Sequence, residues 1–365
     1  MKYTTGLFLV TVFLAAQSCS AKSVDLDDID LPKGFVIEHY ADVPNARSLA
    51  LGDDGVVFVG NRRASSVYAV VPGGDANPQV IEILKDLTTP NGIAYYNGDL
   101  YVAEIERILV YRNAGNRLSN MPPPEILAIE LPGERHHGWR YIGFGPDDKL
   151  YVTIGAPCNI CDRGDEGFAQ IWRMNADGSG QEMYAQGIRN SVGITWHPQT
   201  GDLWFTDNGR DMMGDDIPPG ELNTAPEQGL HFGYPYCHGG EILDPEFGEG
   251  KSCDDYTPPA QKLGPHVAAL GVKFYTGDMF PQEYRGQVFL AEHGSWNRSK
   301  KIGYRVMIVE LEDGVPVSYE VFAEGWLKKD EVSGRPVDLL VLPDGSMLVS
   351  DDHGGKIYRI RYEDD

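Results

Sequence analysis

The sequence predicts an all-β fold: a six-bladed β-propeller with four-stranded antiparallel blades, its ring closed by the N-terminal strand. Three observations carry this reading. The 365 residues include 43 Gly, 24 Pro and 19 Tyr, a composition that favours short strands joined by tight turns over long helices. Six stretches share one pattern, a turn with Gly or Asp followed by an apolar triplet: Asp54-Gly-Val-Val-Phe-Val, Gly98-Asp-Leu-Tyr-Val, Asp148-Lys-Leu-Tyr-Val, Gly201-Asp-Leu-Trp-Phe, Gly286-Gln-Val-Phe-Leu and Gly345-Ser-Met-Leu-Val. The triplets begin at 57, 100, 150, 203, 288 and 347, spacings of 43, 50, 53, 85 and 59 residues that fit a propeller period with insertions. Finally, the chain opens on an unpaired strand and stops on an incomplete unit. Stacked β-sandwiches do not explain six copies of one strand motif.

Taken in order, the N-terminus reads as a targeting signal. Lys2 precedes an apolar run from Gly6 to Ala16, too short to span a bilayer and of the length of a secretory core. It ends in Ala16-Gln17-Ser18-Cys19, which resembles a bacterial lipoprotein signal with Cys19 lipidated; cleavage after Ala21 is the alternative. Residues 1–18 are then the signal, 19–31 an acidic tether and 32–365 the propeller. The protein is expected outside the cytoplasm, in the periplasm or cell envelope, touching a membrane only through that anchor.

Gly34-Phe-Val-Ile-Glu-His-Tyr is the unpaired first strand, and the last unit ends on its third strand, Lys356-Ile-Tyr-Arg-Ile-Arg-Tyr. Pairing them closes the ring and removes its exposed edges. Between them, one unit reads Asn91-Gly-Ile-Ala-Tyr-Tyr, Asp99-Leu-Tyr-Val-Ala, Arg107-Ile-Leu-Val-Tyr and Glu125-Ile-Leu-Ala-Ile, with Gly, Asn and Pro turns. The 85-residue spacing holds an insertion around Cys237 and Cys253. Without Cys19 the cysteines are even in number, and the expected bridges are Cys158 with Cys161 and Cys237 with Cys253, suited to an oxidising compartment. A zinc site is disfavoured, because a separation of sixteen is not ligand-like spacing.

Composition also excludes functions. A formal charge of −23 repels nucleic acid and anionic membranes. No Gly-x-Ser-x-Gly elbow supports a serine nucleophile, and no GxGxxG opens a helix to bind a nicotinamide. The residues leading into the inner strands line one mouth of a propeller: Arg47, Asn91, His136, His137, Arg140, Arg189, Asn190, His266 and Arg335. Guanidinium forks around one cavity suit carboxylates or phosphates, so the mouth is expected to hold a small anion. His137 is the candidate base there, an imidazole being neutral near working pH.

Four stretches carry a resemblance: Glu134-Arg-His-His-Gly-Trp-Arg-Tyr-Ile-Gly-Phe-Gly-Pro-Asp-Asp-Lys-Leu-Tyr-Val-Thr-Ile-Gly155; Tyr184-Ala-Gln-Gly-Ile-Arg-Asn190; Glu221-Leu-Asn223 with Phe232-Gly-Tyr-Pro235; and Ala291-Glu-His-Gly-Ser-Trp-Asn-Arg298 with Gly303-Tyr-Arg-Val306. From about Leu31 to its end the chain resembles the glucose/sorbosone dehydrogenases, six-bladed propellers that use pyrroloquinoline quinone (PQQ) and calcium. The closer likeness is to the sorbosone-type branch, which shares Cys158-Asn-Ile-Cys161.

The resemblance implies an oxidoreductase that takes a hydride from an aldose, sorbosone or related polyol and hands electrons to a cytochrome or quinone. It makes His137 the base, sets Arg189 and Asn190 against the quinone, and gives Arg335 a cofactor carboxylate. Gly209 and Arg210 would present backbone carbonyls to Ca²⁺. The soluble glucose branch has Pro where Arg210 stands and a Lys-Arg pair where this chain has His293-Gly294. His293, Trp296, Asn297 and Arg298 are therefore candidates for the missing contacts, and Asn91 and His136 are positional candidates for substrate. Asp215, Asp216 and Glu221 suit either a second calcium or a solvated acidic loop. The alternatives are a metal-dependent sugar-lactone hydrolase on the same fold and a non-catalytic binding propeller.

Overall fold

The computed structural model describes residues 24–74 and 76–363. The proposed signal and Cys19 lie outside them. Among the described residues the regular structure is strand, with six three-residue 3₁₀ turns and no α-helix, and no helix is long and apolar enough to cross a membrane.

Six antiparallel sheets follow one another around the ring. Blade 1 is Ala46–Leu51, Val57–Asn61, Val67–Gly73 and Ala76–Leu84, and blade 2 is Gly92–Tyr96, Asp99–Ala103, Ile108–Tyr111 and Glu125–Ile126. Blade 3 is Ile142–Phe144, Leu150–Ile154, Gln170–Met174 and Glu182–Gln186, to which Leu230–His231 adds a short parallel fifth strand. Blade 4 is Ile194–Trp196, Leu203–Asp207, Pro219–Ala225 and Gln261–Pro265; blade 5 is Ala269–Phe274, Val288–Glu292, Arg305–Glu312 and Val315–Glu324. Blade 6 is Pro336–Val341, Met347–Asp351, Lys356–Tyr362 and, from the other end of the chain, Phe35–Asp42.

Each repeated triplet is the second strand of its blade, buried because the faces of neighbouring sheets pack on both sides of it. Ring closure follows the expected pairing, Phe35 opposite Tyr362 and Ile37 opposite Ile360. Phe35 also lies edge-on to Phe280 at 4.7 Å and Phe322 at 5.0 Å. Such pairs contribute about 0.5–1.5 kcal/mol each beyond area burial, so the seam is sealed by packing as well as by ladder bonds.

Three sequence expectations are corrected. The outer strand of blade 2 shrinks to Glu125–Ile126 because Leu127 turns inward to a buried cluster. Blade 3 is five-stranded, as noted. The tether is not free from residue 24 onward: Ile29 is buried, Val24, Leu26 and Leu31 pack against blades 5 and 6, and Asp30 exchanges backbone hydrogen bonds with Glu324 at 2.8 and 3.2 Å. The acidic composition hid four apolar side chains that cover the seam.

The insertion lies between the third and outer strands of blade 4. It carries the hairpin Cys237–His238 with Ile242–Leu243 and the Cys237–Cys253 disulfide; the Cys158–Cys161 bridge is also formed. Along the axis the inner strands crowd closely, and a Cβ on Gly193 would stand 2.0 Å from the Leu270 carbonyl oxygen. Across this axis Tyr141 of blade 3 donates its hydroxyl to Asp338 of blade 6 at 3.1 Å, Asp338 accepts the Leu49 amide of blade 1, and Lys273 of blade 5 donates to Tyr141 at 3.3 Å. This buried polar plug ties four blades together, and burial raises the Asp338 carboxyl pKa.

Candidate active site

At one end of the ring the loops leading into the inner strands enclose a cavity of about 360 Å³. The loops are held by carboxylates at the ends of second strands. Asp207 closes the second strand of blade 4 and accepts the backbone N–H groups of Arg189 at 2.8 Å and Asn190 at 2.6 Å. Asp351, at the same position in blade 6, accepts the Arg335 N–H at 2.8 Å. Burial, with Glu221 opposite on the next strand, raises the Asp207 carboxyl pKa above the usual carboxylate range.

His137 faces the cavity from a left-handed backbone conformation with φ of 49°, a strained state for a non-glycine residue that its surroundings must hold. Its Nδ1 lies 2.9 Å from the Ala156 carbonyl oxygen. A carbonyl only accepts, so Nδ1 carries the proton and Nε2 keeps the lone pair. Burial, then the charge of Arg189, drives the His137 pKa well below 6.5. The ring of His136 is 4.1 Å away and more exposed.

Four arginines line the cavity. Arg189 is buried and spends its donors on the Asn159 carbonyl at 2.8 Å, the Asn208 carbonyl at 3.0 Å, Asn159 Oδ1 at 2.9 Å and Asp211 Oδ2 at 3.0 Å. Arg47 is buried between Asn91 Oδ1 and Asp352 Oδ2, both at 2.6 Å. Asp352 also accepts from His293 Nε2 at 2.7 Å. Burial pushes His293 down to about 4. Burial opposes ionisation of Asp352, but His293 and Arg47 hold its carboxyl well below the usual range.

The other two arginines lack a carboxylate. Arg335 donates to the carbonyls of His293 and Gly294, both at 2.9 Å. Arg62, which the sequence reading missed, lies over the Trp139 ring at 3.9 Å and makes no side-chain hydrogen bond among the described residues. Burial and the neighbouring charge of Arg47 lower it to about 10.

Of the residues expected at the mouth, His136, His137, Arg189, Asn190, Gly209, His266, His293, Trp296 and Arg335 line the cavity. Five do not. Asn91 is fully buried and bridges blades, accepting from Arg47 and donating to the Arg140 carbonyl at 2.8 Å, and it does not border the cavity. Arg140 turns away to the Ile105 carbonyl at 3.1 Å. Arg298 reaches the loop at 215–216, bonding the Asp215 carbonyl and Asp216, and Asn297 points its Nδ2 into a buried spot without a hydrogen-bond partner among the described residues. The Arg210 side chain is buried against Asp244 at 2.5 Å and Glu246 at 2.8 Å, and of the two residues expected to offer carbonyls only Gly209 borders the cavity. The acids considered for a second calcium are committed elsewhere: Glu221 to Gly239 and Asn223, Asp215 to Ser299, Asp216 to Arg298. No group of three or more His, Cys, Asp or Glu among the described residues has metal-holding geometry.

A family model described as TrAA12-like matches residues 31–363. An uncharacterized protein of Borreliella burgdorferi is 33% identical over 372 aligned residues, 97% of this chain and 96% of its own. Among solved structures, the calcium structure of Trichoderma reesei Carbohydrate-Active Enzymes Family AA12 superposes with a TM-score of 0.82 at 18% identity, covering 94% of this chain and 100% of that one. The holo form of the pyranose dehydrogenase PQQ domain from Coprinopsis cinerea gives 0.76 at 18%, covering 91% and 97%. The PQQ-bound aldose sugar dehydrogenase from Streptomyces coelicolor gives 0.64 at 17%, covering 92% and 100%. At these identities the structural likeness is one of fold.

Proposed function

We propose, since the chain belongs to the TrAA12-like family, that it is an exported PQQ- and Ca²⁺-dependent oxidoreductase acting on an aldose, sorbosone or related polyol. The observation that carries this reading is the pairing of a surplus of cavity cations with a neutral base. Of the four arginines that line the cavity, Arg189 and Arg47 are ion-paired with Asp211 and Asp352, and Arg62 and Arg335 have no acid partner. A flat tricarboxylate fits that imbalance. Gly209, which borders the cavity, would offer its carbonyl to Ca²⁺ together with oxygens of the cofactor itself.

In this reading Arg335 and Arg62 grip carboxylates, with Trp139 as an aromatic wall. Bound PQQ supplies a two-electron acceptor for hydride. His137 takes the substrate hydroxyl proton at Nε2, its tautomer fixed by Ala156. The Arg189 guanidinium stands beside it, rigidly held, where negative charge develops. Two disulfides suit an oxidising compartment, and a cytochrome or quinone outside the cytoplasm would serve as the electron acceptor.

The test is dye reduction by chelator-stripped mature protein across aldoses and polyols. Turnover that needs both PQQ and Ca²⁺ is expected. Metal-dependent lactone hydrolysis without PQQ, or no activity together with no PQQ binding, would instead favour the hydrolase or the inert propeller.

A further inference from the structure

We propose that the Cys158–Cys161 disulfide loop is a positioning device for Arg189, acting through Asn159. Asn159 sits inside the three-residue span of the bridge. Its carbonyl accepts Arg189 Nε at 2.8 Å and its Oδ1 accepts Arg189 Nη2 at 2.9 Å. The same Oδ1 accepts the Asp211 backbone N–H at 2.8 Å, and Asn159 Nδ2 donates to the Asp211 carbonyl at 3.0 Å. One side chain thereby fixes both the guanidinium and the backbone of its counter-ion, since Asp211 Oδ2 pairs with Arg189 at 3.0 Å.

Two backbone acceptors and one carboxylate also hold Arg189, but the Asn159 carbonyl can keep its aim only while the loop keeps its shape. The bridge and Tyr234 supply that shape: the Tyr234 hydroxyl accepts the Cys161 N–H at 3.0 Å. On its far side the loop is reachable, because Cys161 borders a separate cavity of about 200 Å³ with Tyr234 and Tyr236. A dithiol arriving there breaks the S–S bond with two electrons and two protons, leaves two thiols on Cys158 and Cys161, and closes to its own disulfide. The posture of Arg189 is then sensitive to thiol–disulfide state. Asn159 does not line the main cavity; it is a positioning residue.

The proposal concerns the site described above, and only its second arm rests on the proposed function. In the first arm, the Nε–H resonance of Arg189, assigned with Arg189→Lys, is followed by ¹⁵N NMR in cofactor-free protein. It is expected to exchange slowly in the oxidised protein and quickly in C158S/C161S and after dithiothreitol, while C237S/C253S leaves it slow. Slow exchange in C158S/C161S would overturn the proposal. In the second arm PQQ is titrated by tryptophan fluorescence. Asn159→Ala is expected to weaken binding about tenfold, the scale of one charge-assisted hydrogen bond, and Asn159→Asp, which keeps the acceptor, to restore most of it. Equal affinity in wild type and Asn159→Ala would also overturn it. A wild type that binds no PQQ defeats the functional reading, and the exchange measurement then decides the clamp alone.

Discussion

Arg189 and Arg62 border the same cavity and are held in opposite ways. Arg189 places four of its five N–H donors on carbonyls, an amide and a carboxylate supplied by the protein. Arg62 rests on the face of Trp139 with its hydrogen-bonding capacity unspent among the described residues. A guanidinium with its donors committed is a fixed charge, worth most where charge appears during a reaction. One with its donors unspent is a binding group, worth most where a carboxylate arrives. Arg47 belongs with Arg189, and Arg335 stands between the two kinds.

The largest expected effect concerns the base that the fixed side serves. His137→Ala should lower turnover on the order of 10²–10⁴-fold, the usual contribution of a positioned base, with PQQ affinity near wild type; turnover that survives would remove His137 from the role. Because burial lowers the His137 pKa, the acid limb of kcat should lie below pH 6.5, and a limb above 6.5 in the pH–rate profile would contradict His137 as a buried, neutral base. Stability should follow the same sign. The unfolded chain takes up the proton first, so this contribution is whole above about pH 6.5 and lost as pH falls.

The next contrast separates the two kinds of arginine. Arg47→Ala strips Asp352 of a buried partner and should destabilise the fold by about 3–5 kcal/mol, read from denaturant unfolding. Arg62→Ala removes a ring contact and should cost about 1 kcal/mol or less, while weakening PQQ binding by about tenfold. If the two variants lose stability equally, the division into fixed and available cations fails. Reducing the Cys237–Cys253 bridge, which closes the insertion rather than the cavity, should cost about 2–5 kcal/mol without moving the pH limb.

The ring was legible because its signal is local and repeated: each triplet from Val57 to Met347 is a second strand, and the closing strand pairs as its position required. The mouth was legible only as far as strand order places a residue. His137, Arg189, Asn190 and Arg335 follow from blade position. Asn91 and Arg298 do not, because a long or amide side chain chooses its direction from partners remote in sequence, Arg47 in one case and Asp215 and Asp216 in the other. Arg62 and Trp139 went unrecognised for the same reason. One signal was present and unused. Two residues after the triplet stand Asn61, Glu104, Asp207, Glu292 and Asp351, all buried, and blade 3 alone breaks the rule with Ile154. At Asp207 and Asp351 these residues hold the loops that carry Arg189 and Arg335.

The central claim is that this cavity is a cationic seat for a tricarboxylate quinone beside a neutral histidine. It is tested most directly by titrating PQQ, with and without Ca²⁺, into chelator-stripped protein and following the fluorescence of Trp139 and Trp296 at the cavity wall. Saturable binding at one site, weakened in Arg62→Ala and Arg335→Ala and unchanged in His137→Ala, is the predicted result. Absence of saturable binding, or binding indifferent to both arginines, would contradict the account.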